Sequence, residues 1–112
     1  MRDTVWTFHT NQFRVTLELA PSFEPYDGDD ENGEIQRKLN DGVYVQFDSF
    51  VKVVHKPTGI TLGLDSLCSS VYDNPRDFYT GEGRNGYFRD MVREACRAAR
   101  QTIKTIDGIS LR

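Results

Sequence analysis

Arg89, Arg93, Arg97, Arg100 and Lys104 recur every three or four residues near the C-terminal end of this chain. At roughly 100° per residue on a helix, they fall within an arc of about 80°. Such a row can hold phosphates, because each guanidinium offers a bidentate pair of donors. It can equally grip an acidic protein surface. It also fits a solvated helix face, since Asp90 and Glu94 stand one turn before Arg93 and Arg97.

A second charged group has the opposite sign. Glu24, Asp27, Asp29, Asp30, Glu31 and Glu34 lie close together with no Lys or Arg among them. The stretch DGDDENG invites a calcium reading, but it fails the EF-hand template. Counted from Asp27, the sixth position is Asn32 instead of Gly and the twelfth is Lys38 instead of Glu. The plain reading is a solvated loop. The functional reading is a loop that meets a basic partner and imitates phosphate charge.

Other reactive residue types are sparse. His9 and His55 are the only histidines, and no cysteine or carboxylate stands near them at metal-ligand spacing. No metal and no cofactor is expected. Cys68 and Cys96 do not make a disulfide framework and read as free thiols, with Cys96 on an apolar helix stripe. A Cys–His nucleophile pair has no specific support. GEGRNG, at Gly81, Gly83 and Gly86, matches a dinucleotide-binding pattern by letters alone. No strand feeds it and no βαβ unit surrounds it, so it reads as a loop. Tyr72, Phe78 and Tyr79 cluster with Arg76 ahead of the last helix. Tyr and Arg are enriched in protein interfaces, so these four are candidates for partner contact. The alternative is that they pack the rim of the core.

These groups need a frame. The chain has 112 residues, 38% hydrophobic and 28% charged, which suits a single globular domain spanning 1–112. The net charge of −3 disfavours direct nucleic-acid binding, although a local basic patch can override it. No apolar run approaches the roughly 18 residues of a membrane span. The opening MRDTVWTFHT lacks the apolar core of a signal peptide, and the expected location is the cytoplasm.

Val5, Trp6 and Phe8 lead through a turn to Phe13, Val15, Leu17 and Leu19, which alternate with polar residues as in a β-hairpin. A long surface loop follows. EIQRKLND predicts two turns of helix ended by Gly42, with Ile35 and Leu39 facing the core. Val43 to Leu64 reads as a second hairpin around the KPTG turn, with a phase shift expected near Ser49 from a bulge. From Asp65 to Asn85 the chain reads as irregular, with one short turn near Leu67 to Tyr72. Phe88, Met91, Val92, Ala95, Cys96, Ala99, Ile103 and Ile106 form one face of a final helix, with Asn85 as its N-cap. The expected fold is therefore α+β: an antiparallel sheet of about four strands, with one long C-terminal helix on one face.

Tyr87, Phe88, Asp90, Met91, Val92, Glu94 and Ala95, together with the early Trp-x-Phe strand, carry a resemblance. The chain resembles a group of small proteins of phages and other mobile elements with a Tyr-Phe-x-Asp-Met-Val-x-Glu-Ala helix. It departs from them at Cys96, where a branched apolar residue is usual, and in LGLDSLCSS. The resemblance implies a non-enzymatic inhibitor of host defence, of the anti-CRISPR kind, working in the host cytoplasm. Its partner would be a host protein or nucleoprotein complex with a basic groove, met by the acidic loop. The alternative is a nucleic-acid-associated accessory protein using the arginine row; a small enzyme is the third choice.

Overall fold

The computed structural model describes residues 2–26, 28, 30, 32–81 and 86–110, with side chains to position 106. Asp27, Asp29, Glu31, Gly83 and Asn85, which figure in the expectations above, lie outside the described residues. The elements are β1 (Asp3–His9), β2 (Phe13–Pro21), α1 (Glu34–Asn40), β3 (Val45–His55), β4 (Ile60–Tyr72), a 3-10 turn at Pro75–Phe78 and α2 (Tyr87–Ser110). The strands form one antiparallel sheet in the order β1-β2-β3-β4, and α2 lies on one face of it. This is the expected α+β arrangement.

The period of two in β2 places Val15 and Leu17 toward the helix and Arg14 and Glu18 away from it. β3 pairs with β2 without interruption, from Phe13 opposite His55 to Pro21 opposite Phe47. The expected phase shift near Ser49 is therefore not in this strand. Phe47, Ser49, Val51 and Val53 share the helix face, whereas Phe50 and Val54 belong to the other face. Phe50 blurs the alternation because the Arg2 guanidinium covers its ring at 3.6 Å, a cation–π contact that shelters an apolar side chain on the open face. Beside it, the Glu18 carboxylate forms ion pairs with Lys52 at 3.2 Å and with Arg2 at 3.7 Å.

The irregularities sit in β4. Its pairing with β3 slips between Phe47 and Ser49 and again between Val53 and Val54. Each time β4 carries the extra residue, around Cys68–Ser69 and at Leu62. Ser69 takes a left-handed φ of 58°, and its N–H donates to Asp48 Oδ1 at 2.9 Å. These two bulges break the period of two. That is why Leu67 to Tyr72 looked like a turn in the sequence, although it is strand.

The core lies between the helix face of the sheet and α2. Leu17, Phe47, Val51, Phe88, Met91, Ala95 and Ala99 are buried there. Ser49 is also buried, and its hydroxyl donates to the Leu67 carbonyl at 3.2 Å. α1 does not join this core: Ile35 and Leu39 are only half-buried. Leu39 instead helps line a separate hollow with Phe23, Tyr44 and Val45. Two turns of helix held by a loop at one end are too short to reach across the sheet. The chain is correspondingly elongated, at 60 × 25 × 23 Å.

One contact fixes where α2 sits. Gly63, in β4, faces the helix directly beneath Ala95 and Ala99. A Cβ there would run into the Ala95 carbonyl oxygen and stand 2.8 Å from the Ala99 nitrogen. Neither backbone group can swing aside as a flexible side chain could. Gly63→Ala is therefore expected to destabilise the fold by about 1–3 kcal/mol through overpacking. Urea unfolding checks this: the midpoint should fall while the slope stays constant.

Candidate functional site

α2 lies over β4 and part of β3, and Val15 and Leu17 of β2 are buried with them, so the part of the same sheet face left open is the β1 edge, where Phe8 is exposed. The floor of the resulting groove is Trp6, Phe8, Phe13, Val15 and Val53, and its wall is Val92, Cys96, Ala99 and Ile103 of α2. The cavity measures about 340 Å³. Arg100 stands at its lip. A smaller hollow continues it toward the start of the helix, between Trp6, Phe88, Val92, Arg89 and Arg93. Another continues it toward the end of the helix, through Phe13, His55, Ile60, Leu62, Ile103 and Ile106. The central hollow shares Trp6 and Val92 with the first of these and Phe13 and Ile103 with the second, so the three run on from one another as a trough along α2.

Local packing holds the groove open. Trp6 stacks beside Phe8 at 6.4 Å and meets Phe88 edge-on at 5.0 Å. Phe88 in turn lies 6.3 Å from Phe78. This aromatic line pins the first turn of α2 near the sheet. Farther along, the small Ala95 and Ala99 lie tight on β4, and the helix leaves Phe8 at 54% exposure. Cys96 was expected in the core. It is half-buried in the groove wall, 80° around the helix from Phe88 by the ideal turn of about 100° per residue. Neither it nor the exposed Cys68 is in a disulfide.

The arginine row flanks this trough. Arg89 and Arg93 line one end and Arg100 the middle. Arg97 points farther round and donates to Glu94 Oε1 at 2.8 Å, so one of the two expected ion pairs forms. Asp90 makes no such bridge to Arg93, and among the described residues no carboxylate bridges Arg89, Arg93, Arg100 or Lys104. No described carboxylate lines the trough.

The acidic group is placed differently. Gln46 in β3 donates to the Ser22 hydroxyl and the Glu24 carbonyl, tying the start of the loop to the sheet. Asp30 Oδ1 and Oδ2 accept the Ile35 and Gln36 amides at 3.0 Å each. Asp30 thus caps α1, whose N-cap position, Gly33, has no side chain to do so. Glu34 faces Arg37 at 3.7 Å on the surface. No ion pair among the described residues joins Glu24, Asp30 or Glu34 to the arginine row.

The expected exposed aromatic cluster is not one surface. Phe78 is 1% exposed, with its ring edge-on to Phe47 at 5.5 Å and to Tyr72 at 5.8 Å. The reason is the 3-10 turn: Asn74 Oδ1 accepts the Arg76 amide, Pro75 sets the first residue, and the turn folds Phe78 back over the sheet. Tyr72 and Tyr79 are partly buried against the same cluster, and burial pushes the Tyr72 phenol above its ordinary value. Arg76 alone of the four is exposed. In the sequence Trp6, Phe8 and Phe13 stand out as strand residues and not as a site. The signal that would have singled them out is width. Four strands span about 19 Å at roughly 4.8 Å each, whereas one helix is only about 10 Å across.

The amides of Ile35 and then Gln36 hold the Asp30 carboxyl below its ordinary value of 3.8. A lowered carboxyl supports α1 fully above that ordinary value and loses its contribution as pH falls through the folded value. Amide hydrogen exchange at Ile35 and Gln36 is therefore expected to lose protection on acidification in the parent protein. In Asp30→Ala that protection should be weak throughout the range. Compared with known proteins, the chain matches no family model, no curated protein and no solved structure.

Proposed function

We propose that this chain is a non-enzymatic binding protein. Its contact surface is the apolar trough between α2 and β1–β2, and its ligand is an acidic, amphipathic segment of a partner protein. The observation that carries this reading is the pairing of an open apolar groove with cations at its lip that no described carboxylate bridges: Trp6, Phe8 and Phe13 below, and Arg89, Arg93 and Arg100 beside. An apolar ligand face would bury Phe8 and its neighbours at about 25 cal/mol per Å². Carboxylates on the same ligand would meet guanidinium donors next to a low-dielectric floor, which favours the matched charge and rejects a basic partner.

This reading moves the contact away from the acidic loop. Asp30 is engaged in capping α1, and Phe78 is engaged in the core. A host-defence complex, the partner implied by the phage-protein resemblance, stays within the proposal but would be met through an acidic segment instead of a basic groove. Nucleic acid fits less well than a protein segment, because the arginines border an apolar floor and not a polar channel.

The experiment is affinity capture from a cell lysate with quantitative mass spectrometry, run in parallel on three variants. Phe8→Asp, and Arg89, Arg93 and Arg100 changed together to Glu, are expected to lose the captured protein by at least about tenfold, roughly 1.4 kcal/mol. Asp27, Asp29 and Glu31 changed to Asn or Gln should retain it. The opposite pattern would return the function to the acidic loop.

A further inference from the structure

We infer that the hollow at the root of the acidic loop is a binding site for an alkyl-guanidinium group, the chemistry of an arginine side chain. The site is separate from the trough beside α2 and does not rest on the reading above.

The hollow is built by three stretches of the chain. Gln36, Leu39 and Asn40 come from α1, Pro21 to Glu24 from the end of β2 and the loop after it, and Tyr44 to Gln46 from the start of β3. Its volume is about 290 Å³, at the small end of ligand sites, which suits a single long side chain.

Gln46 carries the inference. It is 6% exposed, and both hydrogens of its Nε2 are spent, on the Ser22 hydroxyl at 3.0 Å and on the Glu24 carbonyl at 2.8 Å. A carbonyl only accepts, so turning the amide round would set two oxygens against each other. Oε1 is thereby held as an acceptor, and no described group donates to it. A buried acceptor without a donor is costly, and a ligand N–H that reaches it removes that cost.

Glu24 supplies the charge. It lines the same hollow and joins no ion pair among the described residues, and no Lys or Arg is among the lining residues. From Glu24 to Glu34 the sequence holds six carboxylates and no cation, which draws positive charge to this end of the molecule. Other polar groups here are already engaged. Gln36 Oε1 accepts the Tyr26 amide, Gln36 Nε2 donates to Asn40, and Lys38 stands over the Tyr44 ring. A neutral acceptor beside a carboxylate calls for a cation with donors in several directions. Guanidinium has five in a rigid fork, whereas ammonium is a more strongly hydrated point charge. Leu39, Val45 and the exposed Phe23 offer apolar surface to the stem.

The test is a nuclear magnetic resonance titration of the isotope-labelled protein with Nα-acetyl-arginine amide. The expected result is a saturating shift of the Gln46 side-chain carbonyl carbon, as Oε1 takes a donor, with shifts at Glu24 and Val45. The citrulline analogue, similar in shape but uncharged, should bind at least tenfold more weakly. So should the arginine probe on Glu24→Gln. Phe8→Asp should bind like the parent, and a loss there would overturn the separation from the trough. Equal binding of the lysine analogue would overturn the guanidinium assignment. Shifts spread along the acidic loop while the Gln46 carbonyl carbon stays still would mean counterion attraction alone and would overturn the site, as would the absence of saturation. Free arginine separates the sources. Tighter binding of the capped probe assigns the site to an arginine of a partner chain, and tighter binding of the free amino acid assigns it to a small molecule.

Discussion

The close approach of Gly63 to the backbone of Ala95 and Ala99 determines how the rest of the molecule is arranged. A helix laid on a sheet normally stands off by the thickness of its side chains. Here β4 offers no side chain at one point, and α2 offers only methyls, so the backbones meet. The helix is thereby drawn to the β4 side. The bulge at Leu62, next to Gly63, turns that side chain toward Ile103 and Ile106 and extends the seat toward the helix end. The aromatic line from Trp6 through Phe88 and Phe78 to Phe47 fixes the other end.

The open groove follows from this seat. A helix centred on the sheet would shade Phe8 and Phe13 and would leave only shallow margins on both sides. A helix displaced to β4 leaves one deep margin, and its flanking arginines come to stand over that margin. The same displacement accounts for the two faces of the row: Arg89, Arg93 and Arg100 are turned to the trough, while Arg97 is turned away and satisfied by Glu94. Charge and apolar surface are thus combined by helix placement, although they are separate features in the sequence.

Much of the fold was legible because it rests on local patterns. The period of two in Phe13 to Leu19 and the apolar stripe from Phe88 to Ile106 name their elements directly. The sequence was less informative where pairing overrides pattern. Phe50 is apolar on the open face because Arg2, far away in sequence, covers it. Leu67 to Tyr72 are strand although bulges scramble their alternation. The arginine row was legible as a row, but its neighbours were not: Trp6, Phe8 and Phe13 come beside it only through tertiary packing. Phe78 shows the reverse failure. An aromatic next to Arg76 in an irregular stretch looked exposed, and one turn of 3-10 helix folds it into the core.

The groove exists only if α2 is seated on Gly63, and a nuclear Overhauser spectrum tests that seat most directly. The predicted result is a strong cross-peak between the Gly63 Hα protons and the Ala99 amide proton, because the site of the missing Cβ lies 2.8 Å from that nitrogen. If Gly63 showed no contact with Ala95 or Ala99, and their methyls met β2 instead, the helix would be centred on the sheet. The groove, and everything built on it, would then be contradicted.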